Sequence, residues 1–448
     1  MDFQQIAHDV VKQALARGAS AAEAVLREGS EFSTVVRLGE VETLKEAGAK
    51  AIGVRVFFGQ RAASTYASDF SPAALDRMVG SAVALARVTS EDPCAGLPGA
   101  DEQGAVGADL GLYYDDVYSL STEDRIDYAR RAEQAALRAD ARIKNSEGGS
   151  FDAATASKVL VTSNGFAGQY RQSSCSVAAV PIAQNGDGQM QRDYWYSVSR
   201  TLGKLESPEE VGAIAAQRTL RRLGARKVST CRVPVVLEPQ VARAWLGEIC
   251  EAVNGDSIYR GASFLAGKLG EKIAGENVTI IDDGALPGGL GSSPFDSEGV
   301  PTRRTVVIER GVLKSYLLNS YAARKLGLKT TGNAARGLAG NPSISPGNFY
   351  LEPGERPAQE LIGEVKEGLY VTEFLGFGVN LVTGDFSRGA SGLWIANGEL
   401  AYPVEEITVA GNLKDMLMNV GEIASDLEFR GSVACPTIRL DGLTVAGE

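Results

Sequence analysis

Histidine is almost missing from this chain: its 448 residues contain one, His8. That scarcity excludes mechanisms built on imidazole, among them Ser-His-Asp and Cys-His triads, histidine-rich zinc sites and facial iron triads. His8 forms no constellation with its sequence neighbours, so a surface or helix-packing role is expected for it. Cysteine is sparse too. Cys94, Cys175, Cys231, Cys250 and Cys435 are scattered without the spacing of a metal clip, which predicts reduced, buried thiols in a cytosolic protein. No apolar run approaches the length of a membrane span. The N-terminal "MDFQQIAHDVVKQALARGA" breaks its apolar stripe with Asp2 and Asp9, unlike a signal peptide. A cytoplasmic location is expected. Excess positive charge is also lacking: the net charge of −11 argues against nucleic-acid and anionic-membrane partners. The densest basic cluster, "RRLGARK" (Arg221 to Lys227), reads as a helix end followed by a solvated linker.

Glycine, by contrast, is plentiful at 52 residues and predicts many tight turns. The length favours two domains, residues 1–226 and 232–448. The first half alternates helical patterns with antiparallel strand signals. Helices start at Ser71-Pro72, Ser121 and Ser207-Pro208, and turns fall at Asn164-Gly165 and at "NGDG", Asn185 to Gly188. "EDPCAGLPGADEQGAVGADLG" reads as a long irregular surface connection. The second half is β-rich, with a hairpin at Arg310-Gly311 and another at Asn397-Gly398. Helices and strands mix without regular βαβ alternation, so the fold class is α+β: an N-terminal α/β domain with antiparallel strands and a β-rich C-terminal domain.

Three places invite chemistry. In "LGEICEAVNGD" (Leu246 to Asp256), Glu248 and Glu251 are helical neighbours with Cys250 close by; the pair suits acid-base work or an ordinary solvated helix edge. Asp282, Asp283, Asp296 and Glu298 flank the glycine-rich "GALPGGLG", which lacks a P-loop's Lys-Ser/Thr. A flexible loop with solvated acids is expected there rather than a cation site. In "TGDFSRGASGLWIANGEL", Asp385, Phe386, Arg388 and Trp394 are interleaved with Gly384, Gly389 and Gly392. An exposed backbone edge beside aromatics would suit an extended peptide, but the spacing alone favours a tight hairpin with a buried Trp and a local Asp–Arg pair. Leu413, Met416, Leu417 and Val420 make a helical stripe for the domain core or for a partner.

The stretch "TGDFSRGASGLWIANGELAYPVEEITVAGNLKDMLMNV" resembles the C-terminal signature of the TldD/PmbA family, once called modulators of DNA gyrase. "IIDDGALPGGLGSSPFDSEGVPTRRTVVIERGVLKSYL" and "TGNAARG" match it as well, and the likeness is to the PmbA branch, also called TldE. The resemblance implies a cytosolic metalloprotease system that cuts unfolded peptides, assembled as a dimer around an internal cavity. In the TldD branch a helix bearing H-E-x-x-x-H and a later cysteine hold zinc. Matching Gly255-Asp256 to the family's Gly-Asp places Leu246 and Glu251 at the two histidine positions and Gly247 at the glutamate. Cys435 falls in a later part of the pattern and does not replace the cysteine ligand. The resemblance therefore implies no catalytic residue, metal or cofactor in this chain, with zinc in a TldD-like partner. Asp385, Phe386, Arg388, Gly389, Gly392 and Trp394 remain its candidate peptide contacts. The alternatives are a homodimeric hydrolase using Glu248, Glu251 and Asp256 around a cation, or a peptide-binding module without a protease partner.

Overall fold

The computed structural model describes residues 2–447. Helix α1 (Phe3–Ala16) is capped by Asp2, whose carboxylate accepts the Gln5 N–H; it buries Ala7, Val10, Val11 and Ala14 and leaves His8 exposed. Strands β1 (Ala21–Arg37), β2 (Glu40–Phe58) and β3 (Arg61–Ala67) run antiparallel. They are joined by β4 (Ile143–Thr162), β5 (Ala167–Gln184), β6 (Met190–Arg192) and β7 (Trp195–Ser199). The order is β3-β2-β1-β4-β5-β6, with β7 also on β5.

Alternation along β1 sets the architecture of this half. Ala22, Ala24 and Leu26 share a core with α1 and α2 (Pro72–Val88). Phe32 and Val36, on the same face, pack with α3 (Thr122–Ala139) and α4 (Pro208–Leu220). Val25, on the opposite face, meets Leu160 and Phe295 of the second half. The helix starts are where serine placement predicts them: Ser71, Ser121 and Ser207 all cap, the last two in reciprocal capping boxes with Asp124 and Glu210.

The second half begins with β8 (Cys231–Leu237), α5 (Pro239–Ala252) and α6 (Gly255–Tyr259). Next come β9 (Ile280–Asp283), β10 (Arg304–Glu309), β11 (Val312–Leu313), α7 (Ser320–Leu326), β12 (Ala334–Ala335), β13 (Ser343–Ile344), β14 (Phe349–Leu351) and α8 (Ala358–Gly363). The chain ends with β15 (Glu367–Leu375), β16 (Val379–Asn380), β17 (Asp385–Ala396), β18 (Glu399–Asn412), α9 (Leu413–Met418), β19 (Val420–Ile423), β20 (Val433–Ala434) and β21 (Ile438–Ala446). One sheet has the order β11-β10-β9-β14-β20. In the other, β15-β8-β21-β18-β17 closes on itself through a β15–β17 pairing. The mixture of helices with largely antiparallel sheets is α+β.

Three local expectations gain detail in the folded chain. The connection after α2 is a strap between the halves: the Gly104 N–H donates to the Gly299 carbonyl at 2.8 Å, and the Gly288 N–H to that of Leu110 at 2.7 Å. "RRLGARK" is solvated only at its end, where Arg226 and Lys227 are exposed. Arg221 pairs with buried Glu238 at 2.9 Å, Arg222 with Glu373 at 2.6 Å, and Arg226 covers the Tyr402 ring at 3.6 Å. The stripe Leu413, Met416, Leu417 and Val420 faces its own core, with Val420 already in β19. No helix among the described residues is long and apolar enough to cross a membrane.

Candidate functional site

Helix α5 starts at Pro239, where a missing N–H costs nothing, and drives Trp245, Leu246 and Ile249 fully into the core. Leu246 is 0% exposed. Gly247 stands on the helix flank with open space where a side chain would be, and Glu251 is exposed. Glu248, between them, faces Arg388 of β17 at 3.9 Å, and the Arg388 guanidinium lies 5.3 Å from the Phe374 ring. Burial raises the Glu248 carboxyl above its ordinary range; Arg388 opposes the shift and Glu251 adds to it. The fold thus joins two segments far apart in sequence, the α5 edge and the "GDFSRG" strand.

The remaining residues of β17 divide by role. Asp385 is exposed and accepts hydrogen bonds from Thr383 Oγ1 at 2.6 Å and Asn412 Nδ2 at 3.1 Å, which hold its carboxyl below the usual range. Its expected partner, Arg388, is therefore Glu248's instead. Phe386 is buried edge-on against Phe374 at 5.4 Å. Gly389 opposes Leu375, and a Cβ on Gly392 would collide with the Tyr370 carbonyl oxygen. Trp394 is half-buried and stacks on Tyr402 with centroids 6.5 Å apart. The hairpin reading holds and no free backbone edge forms here: β17 is paired to β15 and β16 on one side and β18 on the other. Closure of the strand ring consumes its N–H and C=O groups.

The acids expected to be solvated are mostly buried. Asp296 accepts backbone N–H groups of Glu298 (2.8 Å), Val300 (3.0 Å) and Ala334 (3.0 Å). Burial, then Glu298, pushes its carboxyl up to about 7. Asp282, held by Gly347 N–H and Asn333, is pushed up to about 6 by burial. Glu298 is buried and also raised by burial. The glycine-rich loop beside them is pinned rather than flexible, because buried Arg200 donates to the Gly289 and Leu290 carbonyls at 2.9 and 2.8 Å. Asp256 lines a cavity of about 370 Å³ with Arg55, Tyr259 and Arg260, and Glu248 and Glu251 are not in its lining.

Zinc does not fit the α5 positions. Leu246 offers no donor and is sealed in the core, Gly247 has no side chain, and Glu251 supplies one carboxylate on another flank. Cys250 and Cys435 are buried thiols pushed well above their ordinary range by burial, the reverse of what a thiolate ligand needs. Sequence reasoning missed one cluster altogether. Glu23 bonds both Arg55 and Arg336 at 2.6 Å, and Lys158 donates to Ser297 at 3.1 Å, all buried where the two halves meet. Arg336 and Ser297 lie inside quoted motifs, but nothing local pointed to their partners.

Comparison with known proteins places this arrangement in a class. Three family descriptions match in succession: PmbA/TldA metallopeptidase domain 1 (residues 22–86), central domain (115–223) and C-terminal domain (230–447). They define a metallopeptidase-family scaffold. The chain belongs to the PmbA/TldD metallopeptidase family. It is similar to Metalloprotease PmbA of Escherichia coli O157:H7, 41% identical over 97% of this chain and 94% of that one. It is also similar to the Metalloprotease PmbA homolog of Haemophilus influenzae, at 38% over 100% and 96%. A solved Bacteroides thetaiotaomicron structure described as a modulator of DNA gyrase superposes with a TM-score of 0.92, 28% identity and 99% coverage of both chains. TldE from Thermococcus kodakarensis shares the fold at a TM-score of 0.89 and 21% identity, covering 99% of this chain and 100% of that one.

Proposed function

We propose that this chain is a PmbA/TldE-type subunit without its own hydrolytic centre, paired in the cytoplasm with a zinc-bearing TldD-like chain. The reading rests on the family resemblance, which matches Leu246 and Glu251 to the two ligands of the metal helix and Gly247 to its base, and on the observation that Leu246 is part of the core. Zinc-assisted hydrolysis needs ligands that grip the ion and a base for its water. The partner supplies both, and this subunit completes the chamber and helps hold an unfolded peptide. Because the backbone of β17 is spent in its sheets, peptide contacts here are made by side chains, with Arg388 and Trp394 the candidates. The carboxylate alternative loses support because Asp256 lines a cavity that Glu248 and Glu251 do not line.

The test is elemental analysis and a peptidase assay on the purified chain, alone and after mixing with its TldD-like partner. The expected result is substoichiometric zinc and no cleavage alone, a heteromer by light scattering, and cleavage by the mixture. One zinc per chain, or cleavage by this chain alone, overturns the reading. If no heteromer forms even after co-expression, the homodimer or the partnerless module replaces it. Trp394→Ala separates clamp from scaffold: a clamp loses peptide capture in the assembled complex at unchanged dimerisation. A purely structural Trp394 loses about 2–3 kcal/mol of stability at unchanged affinity.

A further inference from the structure

A second cavity, of about 420 Å³, lies at the junction of the two halves, lined by Arg27 and Lys158 from the first and by Ser297, Arg303 and Asp282 from the second. We propose that it is a binding site for a small organic oxyanion, a carboxylate or a phosphate ester, held by Lys158, Ser297, Arg27 and Arg303. The inference is independent of zinc and of any protein partner.

The argument is one of unmatched donors. Lys158 is 8% exposed yet has no carboxylate partner among the described residues; its Nζ donates to Ser297 Oγ at 3.1 Å and sits near the faces of Tyr170 and Phe295. Arg27 donates to the Arg336 carbonyl, and neither it nor Arg303 forms an ion pair among the described residues. Ser297 Oγ already accepts from Lys158 and from the Arg336 N–H at 3.1 Å, which leaves its own hydrogen to give. Asp282 and Asp296 also line the space and accept from Gly347 and Asn333, and from Glu298, Val300 and Ala334, respectively. Arg336 is spent on Glu23 at 2.6 Å. A buried ammonium with no carboxylate in direct contact is costly, and several donors converging on one space favour a ligand that only accepts. Burial first and then Arg27 lower the Lys158 amine to about 8, with Asp296 and Glu23 opposing the shift in part, and a bound anion would oppose it further. The volume is that of a small-molecule site, in a chain whose net charge of −11 makes such a positive pocket unexpected.

Pyridoxal phosphate, which carries both a phosphate and an aldehyde, is a suitable probe of the full chain. The Lys158 amine condenses with the aldehyde carbon, releasing water, and borohydride reduces the imine to a stable secondary amine for mass-spectrometric mapping. Labelling is expected to concentrate on Lys158 and to be suppressed by inorganic phosphate if the site takes phosphates, or by citrate if it takes carboxylates. Arg27→Ala and Arg303→Ala change exposed side chains and leave folding intact. Loss of one charge-assisted contact should weaken labelling of Lys158 about tenfold at an unchanged melting temperature. Labelling spread over surface lysines, protection by neither anion, or undiminished labelling in both arginine variants would overturn the proposal.

Discussion

Gly247 and Gly392 occupy regular elements with opposite surroundings, and their substitution separates backbone entropy from packing. At Gly247 a methyl meets nothing within 4 Å, so Gly247→Ala should stabilise α5 by about 0.5–1 kcal/mol. At Gly392 the methyl meets the Tyr370 carbonyl across the β15–β17 pairing that closes the strand ring; Gly392→Ala should cost about 3 kcal/mol. Urea unfolding of both variants checks the pair. The buried acids make a pH prediction. A carboxyl whose folded value is raised holds its proton more tightly when folded, so stability falls as pH climbs from the unfolded value of about 4 through the folded one. Asp282 and Asp296, at about 6 and about 7, therefore weaken the fold progressively over that window. Lys158, lowered to about 8, acts in the next: its penalty is present below that value and disappears as pH rises toward about 10.5. With one histidine in the chain, few other side chains change charge near neutrality. The melting temperature should be higher at about pH 5.5 than at about pH 7.5; a flat profile would contradict these burial effects.

At the scale of the element, α5 is a helix whose sequence fits a reactive or a solvated edge and whose packing makes it a strut. Trp245, Leu246 and Ile249 are buried together, while Glu248 is tied to Arg388. Writing the family's motif back as Leu246→His, Gly247→Glu and Glu251→His should therefore fail to create a zinc site. The imidazole at position 246 would replace a core side chain, at a cost of about 2–4 kcal/mol. Stoichiometric zinc in the triple variant, at unchanged stability, would show that α5 is a dormant metal helix instead. β2 illustrates another element-scale device. Its exposed portion, Glu40 to Lys50, carries Glu40, Glu42, Lys45, Glu46 and Lys50, charges that discourage edge-to-edge association.

Over the whole molecule, the two halves are joined by buried charge as much as by apolar contact. Glu238, 3% exposed at the start of α5, receives Arg218 and Arg221 from the end of α4 at 2.6 and 2.9 Å. Asp193 adds a second acid beside Arg218 at 3.4 Å. Removing one partner of such a network leaves a buried charge uncompensated, so Glu238→Gln should lower stability by about 3–5 kcal/mol. Calorimetry would read this as a markedly lower melting temperature; a shift within error would mean that water reaches the pair. The strap from Gly104 to Leu110 and the Glu23–Arg336 pair tie the same halves elsewhere, which is why the oxyanion cavity between them has walls from both.

What the amino-acid sequence determined alone was local. Serine caps, Asn-Gly and Arg-Gly turns and the surface placement of His8 depend on neighbours a few positions away, and each was legible in the chain. The α+β character followed from the same short-range periodicities. Only the tertiary structure decided that β17 has no free edge, because the β15–β17 pairing that closes the ring is non-local. It also buried Asp282 and Asp296, whose N–H donors from Gly347 and Ala334 come from distant loops. Lys158 and Ser297 stand 139 positions apart. A lysine in a strand and a serine in a loop carry no mark of each other until the chain has folded, and it is burial that turns an ordinary ammonium into an unmatched donor.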